Sequence, residues 1–486
     1  MIPQIAAGNP VRHAALALAL AAVLGGCSLA PTYERPSVAL PASFAAAQAP
    51  AAGAPDATAQ AQELTAQELE FLRSFAPRTD LAPLVKAALA HNADYRLAAL
   101  QVEQARAQYR IERSARLPTV GVDAQRIRQI YDDPDLQLRF QQELSVATVG
   151  IGDFELDFFG KLKSLSDAAR ARYLASTHGQ QAARGALIAE VVRAYTLERT
   201  AAQSLAIQRS IEADATILLG YAARQHAVGL LSQDDLGRQR AEADLVHVRT
   251  RQAADDHRAA QRALRVLAGF DAGQTGGELN ALVSDQVATT ALRGLNSEVL
   301  LQRPDVQQAE AELRARNADI GAARAAFFPS IRLSTGLGTA SSALSGLFDS
   351  GSRTWSFIPQ ITLPIFDFGR NRSNLDLAQV RKQAGIVEYE RTIESAFREV
   401  ADALDAHATL GDARQRSQAY VQREQARVER MRVRVEHGLQ DRSALLEERV
   451  QLGRAELDNL AVERDVALNR IAVFRAFYGV RLPAAS

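Results

Sequence analysis

The sequence contains very few of the residues that build covalent or metal-bound sites. One cysteine and two methionines occur in 486 residues. A single cysteine cannot form an intramolecular disulfide, and it excludes cysteine-rich zinc sites and a CxxC redox pair. The formal net charge is zero, because 56 basic residues balance 56 acidic residues. Since recognition of nucleic-acid phosphates requires a basic surface, no nucleic-acid partner is expected.

Signatures of catalysis are missing as well. The 8 histidines show no metal-ligand spacing, and there is no GxSxG nucleophile elbow and no Walker loop. The Gly336-Leu337-Gly338 pair lies at the end of a strand pattern, where a bulge or turn explains it better than phosphate binding. Carboxylates lie mostly three or four residues from arginines, which is typical of ion pairs on solvated helices. We therefore expect no enzyme activity, no metal site and no cofactor.

Long hydrophobic runs are also absent after Val23: no stretch of eighteen apolar residues without charges follows it. Before it, the segment Ala14–Val23 is an apolar run preceded by Arg12. This arrangement is typical of a secretory signal, and it is too short to span a bilayer as a helix of the mature protein.

The residues Leu24-Gly25-Gly26-Cys27 resemble the bacterial lipoprotein signal, the lipobox. The resemblance implies that residues 1–26 are a signal peptide, and that lipid is attached to the sulfur and the amine of Cys27. The next residue is Ser28 and not aspartate. In that family, the absence of aspartate at this position points to the outer membrane. Because one acylated residue gives incomplete anchoring, stable residence requires a second membrane element.

The sequence contains an internal repeat, in which one unit occurs twice. Short motifs recur in the same order 209 to 211 residues apart. The recurring pairs are Leu117–Val120 with Phe328–Ile331, Asp157–Lys161 with Phe366–Arg370, Val191–Ala194 with Val400–Ala403, and Gly229–Ser232 with Gly438–Asp441. We therefore divide the mature chain into an N-terminal arm and equatorial segment (27–78), a first repeat (79–290), a second repeat (291–480) and a C-terminal tail (481–486).

Each repeat has the same predicted plan of helix, two strands, a very long helix, a turn and a return helix. Helical periodicity without proline predicts the helices, and glycine at Gly229 and Gly438 predicts the turns between long and return helices. The predicted helices are 81–116, 160–228, 232–268, 298–326, 370–436 and 441–478. The predicted strands are 118–128, 144–156, 329–338 and 355–366.

The strands alternate apolar and polar residues, as in the run from Ile331 to Leu337. Alternation over about ten residues with aromatic residues near the ends fits a transmembrane β-strand. Two hairpins of a soluble sheet would alternate in the same way, and the lipobox favours the membrane. Four strands cannot close a barrel, and a barrel with a water-filled interior needs at least three copies of this chain.

Two groups of motifs resemble the TolC/OprM-type outer-membrane factors, the family that includes the NodT-like efflux lipoproteins. The first is Leu300–Val306 followed by Ala325–Pro329, and the second is the pair of strand-to-helix junctions at Phe154–Lys161 and Leu363–Gly369. The resemblance implies a homotrimer with a 12-stranded barrel and a long α-helical periplasmic tunnel.

The implied function is the exit duct of a tripartite drug-efflux (RND) system in the bacterial outer membrane. The implied partners are a periplasmic adaptor, an inner-membrane RND transporter and outer-membrane lipid. The alternatives are a duct for type I protein secretion, a periplasmic coiled-coil adaptor lipoprotein, or a secreted enzyme. An adaptor would have one hairpin between compact β-domains, whereas this chain has two hairpins.

In the family, acidic rings at the periplasmic helix turns narrow the pore. Asp235 and Glu447 fall at these tip positions, and glutamate replaces the usual aspartate at Glu447. Arg238 and Arg442 lie close by in sequence and are candidates for the pairs that hold the gate. In the simpler interpretation, Asp235 is a capping-box acid and Glu447 is a solvated helix residue.

Overall fold

The computed structural model describes residues 63–75, 81–140, 142–269 and 296–480. The predicted signal peptide, Cys27, most of the N-terminal arm and the tail 481–486 lie outside the described residues.

The two longest helices are equal in length and dominate the molecule. Helix α5 (Lys161–Ala227) and helix α8 (Arg370–Glu436) have 67 residues each, which corresponds to about 100 Å at 1.5 Å per residue. The other helices are α1 (Ala66–Phe75), α2 (Ala82–His91), α3 (Ala93–Ser114), α4 (Pro134–Phe140), α6 (Gln233–Ala268), α7 (Pro304–Ala325) and α9 (Arg442–Ala476). Among the residues described, no helix has both the length and the apolar composition needed to cross a membrane.

Equivalent joints lead from the sheet into both long helices. Gly160 and Gly369 adopt positive φ angles of 74° and 85°, which glycine tolerates without steric cost. An aspartate precedes each glycine: Asp157 lies three residues before Gly160, and Asp367 lies two residues before Gly369. Each aspartate accepts a backbone N–H of the first helical turn, Asp157 from Lys163 at 2.7 Å and Asp367 from Asn371 at 2.9 Å. The same geometry at both joints is the structural counterpart of the sequence repeat.

Two predicted helices are interrupted. Asn92 separates α2 from α3, and its side chain accepts the Tyr95 N–H at 3.0 Å as a helix N-cap. The predicted helix 298–326 begins as a 3₁₀ helix (Ser297–Gln302) and becomes α-helical only at Pro304. In both places a local cap or proline stops the helix, although the apolar periodicity continues.

The four strands form one antiparallel sheet in the order β1-β2-β3-β4. Their bounds are Val120–Gln129, Gln142–Leu156, Ser330–Ser341 and Arg353–Thr362. The sheet is continuous except for a register shift in β2, where Asp153 has a φ of 51°. Within the described residues β1 and β4 are edge strands, each paired on one side only. A mainly helical chain with four strands agrees with the prediction.

The hydrophobic core lies halfway along the long helices rather than in the sheet. Helices α1 and α2 pack there against the middle of α5, the end of α6 and the end of α9. The fully buried members include Phe75, Leu84, Val85, Ile188, Val191 and Leu264. A second, smaller cluster of Ile211, Ala215, Val246 and Val450 joins α5, α6 and α9 nearer the turns.

Candidate functional site

The first tip turn joins α5 to α6 through Gly229. Gly229 has a φ of 77°, and the following N–H of Leu230 donates to the Gln225 carbonyl at 2.8 Å, which closes the end of α5. Ser232 then caps α6, because its Oγ accepts the Asp235 N–H at 3.0 Å. The hairpin therefore reverses direction in a few residues.

The second tip turn repeats this geometry between α8 and α9. Gly438 has a φ of 70°, and the Leu439 N–H donates to the Arg434 carbonyl at 2.8 Å. Asp441 stands at the N-cap position, although its side chain accepts a bond from the Ser443 hydroxyl (3.0 Å) rather than from a backbone N–H. The two glycines predicted as tip turns thus occupy equivalent positions.

The structure separates the predicted gate residues into one paired and one unpaired set. Asp235 forms an ion pair with Arg238 on the same turn of α6 and accepts the Ser232 hydroxyl at 2.7 Å. Glu447 and Arg442 are exposed on α9 and form no ion pair within the part of the chain described. Asp235 is therefore already neutralised inside one chain, whereas the carboxylate of Glu447 is directed to solvent in the protomer.

The ion pairs between separate helices near the tip turns were not predicted from the sequence. The neighbour of Glu447, Glu448, accepts Arg427 of α8 at 2.9 Å. Arg454 of α9 pairs with Glu242 of α6, which connects the two hairpins. These pairs join side chains far apart in sequence, so only the packing of the helices brings them together.

Asp214 of α5 is a further buried carboxylate between the hairpins. It is paired with Arg449 of α9 at 3.1 Å. Burial raises the pKa of Asp214, and the positive charge of Arg449 counteracts this effect only in part. The Arg449 contact therefore stabilises a charge that the site itself disfavours.

Two histidine–glutamate contacts hold α6 against α5. The Nδ1 atom of His247 lies 2.6 Å from the Glu212 carboxylate, and the Nε2 atom of His257 lies 3.1 Å from the buried carboxylate of Glu198. The hydrogen bond from His247 lowers the pKa of Glu212. Each of these two histidines thus has a carboxylate partner on the neighbouring helix.

The chain matches the family model described as "Outer membrane efflux protein" over residues 84–270 and 295–477. The two matched segments correspond to the two halves of the repeat. OprJ of Pseudomonas aeruginosa is 38% identical over 488 residues, which cover 95% of each chain. The toluene efflux pump outer membrane protein TtgF of Pseudomonas putida is 37% identical over 96% of each chain.

A solved structure shows the same fold. The open state of the Neisseria gonorrhoeae MtrE outer membrane channel superimposes with a TM-score of 0.73 at 32% identity, covering 95% of this chain and 100% of that one. Together with the family match over both repeats, this similarity extends from the N-terminal helices to the end of α9. The chain belongs to the outer membrane efflux protein family.

Proposed function

We propose that this chain is the outer-membrane channel of a tripartite RND-type efflux system and acts as a passive exit duct for small molecules. The observation that carries the proposal is the doubled unit of two strands, a 67-residue helix and a return helix, whose sheet has two open edges. Within the described residues, no group of histidine, cysteine and carboxylate side chains could hold a metal ion. A duct needs a lumen and a docking end, and this architecture supplies both.

Three copies complete the channel. A sheet in a bilayer cannot leave an edge unpaired, so β4 of one protomer pairs with β1 of the next. Three four-stranded sheets give twelve strands, and a barrel of this size leaves an interior that can conduct. The long helices of three protomers then surround a tunnel in the periplasm.

The partners are a periplasmic adaptor and an inner-membrane RND transporter, which meet the tip turns at Gly229 and Gly438. A lipid on Cys27 and the sheet together anchor the trimer in the outer membrane. Exported compounds are selected mainly by the transporter. The relatives include a protein named for toluene efflux, which is consistent with small organic molecules as cargo.

The gate is the ring formed by three copies of Glu447 at the tip. Because Glu447 is exposed and has no ion-pair partner in the described part of its own chain, its carboxylate is free to face the axis or a neighbouring protomer. Three carboxylates around a narrow axis repel each other and attract cations. Asp235 contributes less, since Arg238 neutralises it.

The proposal is tested by crosslinking in intact cells followed by purification through a tag on this chain. Co-purification of a periplasmic adaptor and an RND transporter supports an efflux duct. Recovery of an ABC transporter instead would assign the chain to type I protein secretion. Recovery of a monomer without inner-membrane partners would contradict both functions.

A further inference from the structure

The strand register assigns residues of all four strands to a common apolar face of the sheet. Val122 pairs with Val149, Val149 with Leu337, and Leu337 with Trp355. Directly paired residues project to the same side of a sheet. These side chains are 53–80% exposed in the protomer. We call this side the outer face, because an apolar row of this kind matches the lipid-facing side of a membrane strand.

The opposite side, the inner face, is polar. Glu155 pairs with Arg332, which pairs with Gln360 in the next strand. Arg332 also forms an ion pair with Asp153 at 3.1 Å. The ion pair of Arg332 with Asp153 therefore lies near the joint with a long helix, whereas Asp123 of β1, also on this face, forms no ion pair among the residues described.

The outer face becomes basic only at the end of the strands that lies away from the joints with the long helices. Along β1 the outer face continues from Val122 through Ala124 to Arg126 and Arg128, and along β4 it begins with Arg353, two residues before Trp355. All three arginines are exposed. We define the basic rim as Arg126, Arg128 and Arg353.

The rim lies at the end of the sheet furthest from the helical body. Strand β1 starts at Val120, shortly after α3, and ends at the connection that contains α4. Arg128 is about 26 Å from Val120 along the strand at roughly 3.3 Å per residue. The apolar band of membrane strands is about 25 Å tall. With the long helices in the periplasm, Arg128 therefore reaches the headgroup layer of the outer leaflet, and Arg353, the first residue of β4, stands at the corresponding end of its own strand.

On the outer face, ion pairs among the described residues neutralise only one of the three positive charges of the rim. Arg128 forms an ion pair with Glu143 on the same face, with 2.9 Å between Nε and Oε1. Arg126 and Arg353 form no ion pair among the residues described. Three arginines against one glutamate leave an excess of two charges per protomer. The aspartates nearby, Asp132, Asp133 and Asp135, belong to the connection beyond β1, where Asp133 caps α4.

The two parts of the rim lie on the two edge strands. Arg126 and Arg128 are on β1, and Arg353 is on β4. When β4 of one protomer pairs with β1 of the next, Arg353 comes to the same edge of the barrel junction as the neighbour's Arg126 and Arg128. Guanidinium groups bind phosphate with two parallel hydrogen bonds, so a cluster of them suits a phosphorylated headgroup.

We propose that the basic rim binds phosphate-bearing lipid headgroups of the outer leaflet, with one site at each of the three junctions between protomers. The inference rests on the proposed function, because the sheet must span the outer membrane and close as a trimer. The bound lipid would hold adjacent edge strands together from the outside, where their pairing is otherwise held by backbone hydrogen bonds.

The test is native mass spectrometry of the full-length trimer in detergent with added lipid A, a glycolipid that carries two phosphates. We expect up to three bound lipids in the wild type and at least tenfold weaker binding in the triple variant Arg126→Gln, Arg128→Gln, Arg353→Gln. Arg332→Gln is the matched control, because it removes an arginine from the inner face of the same sheet. Its lipid binding should equal that of the wild type.

Equal binding by the triple variant and the wild type would overturn the proposal. So would displacement of the lipid by millimolar inorganic phosphate, since that result indicates a simple anion site. If the triple variant does not assemble, the single variants Arg126→Gln and Arg353→Gln replace it, and each should weaken binding severalfold. A conducting trimer without bound lipid A contradicts this inference alone, whereas the absence of any trimer contradicts the proposed function.

Discussion

At the scale of single residues, Glu68 of α1 connects the N-terminal segment to both repeats. Its fully buried carboxylate accepts Arg184 of α5 at 2.8 and 3.0 Å and the hydroxyl of Tyr478, beyond α9, at 2.8 Å. It also completes a capping box with Thr65. Burial favours a higher pKa for Glu68, but the hydrogen bonds from Arg184, Thr65 and Tyr478 outweigh it and lower the pKa.

Replacing Glu68 by glutamine should destabilise the protein. Arg184, whose side chain is 12% exposed, would lose its counter-charge in the core. Removal of one partner from a buried ion pair costs about 3–5 kcal/mol. Thermal unfolding of the Glu68→Gln trimer in detergent should therefore show a clearly lower Tm. Glu70→Gln, an exposed change on the same helix, is the control and should leave Tm unchanged; equal Tm values for both variants would contradict the role of Glu68.

The same carboxylate should make stability depend on pH in a defined range. The pKa of Glu68 lies below its ordinary value of 4.5 in the folded state. Its contribution is therefore complete above pH 4.5 and is lost as the pH falls through the lower, folded pKa. The Tm difference between wild type and Glu68→Gln should stay constant from pH 8 to about pH 5 and shrink below about pH 4. A difference that is independent of pH down to 3 would show that the charge of Glu68 is unimportant.

Glu447 is the residue at which the gate can be tested. Substitution by alanine removes three carboxylates from the proposed axial ring, and the smaller side chain leaves a wider opening. We expect Glu447→Ala to raise single-channel conductance in planar bilayers and to weaken cation preference. Glu390→Ala, an exposed change on α8 away from the tip turns, should leave both unchanged. Unaltered conductance and selectivity in Glu447→Ala would exclude it as a gate residue.

At the scale of elements, the joints at Gly160 and Gly369 set the direction of the long helices. A Cβ atom at Gly369 would meet nothing within 4 Å, so the cost of alanine is that of the positive φ alone, about 1–2 kcal/mol. Gly411 lies inside the same helix α8, also without neighbours within 4 Å of a Cβ. Gly369→Ala should lower Tm, whereas Gly411→Ala should raise it by the equivalent of about 0.5–1 kcal/mol. An unchanged or raised Tm in Gly369→Ala would show that the joint glycine has no special conformational role.

Elements with local signals were predicted well from the sequence. The bounds 370–436 agree with α8 residue by residue, because Gly369 and Gly438 mark both ends and no proline intervenes. The break at Asn92 and the short helix α4 were missed, since neither changes the hydrophobic pattern strongly. At the candidate site, Gly229 and Gly438 were predicted as turns, and both adopt a positive φ between two helices. The pairs Arg427–Glu448 and Arg454–Glu242 depend on the relative position of separate helices, which no local pattern records.

At the scale of the whole molecule, two anchors act in parallel. The lipid proposed for Cys27 is one, and the sheet with its exposed apolar face is the other. A Cys27→Ser variant should therefore remain in outer-membrane fractions as a heat-modifiable trimer, although with slower or less complete assembly. Fractionation by density gradient and unheated gel electrophoresis measure both properties, with the wild type as control. A soluble monomer would contradict a membrane-spanning sheet.

The equal length of α5 and α8 has a mechanical consequence. Both helices start at the same kind of joint and end at the same kind of turn after 67 residues, so the two tips end at one level. An insertion of seven residues in α8 alone would push its turn about 10 Å beyond that of α5. The proposed adaptor would then meet tips at two different levels instead of one. The length of the long helices thus sets how far the duct extends into the periplasm. Lengthening the duct requires matched insertions in both long helices and in the helices that return beside them.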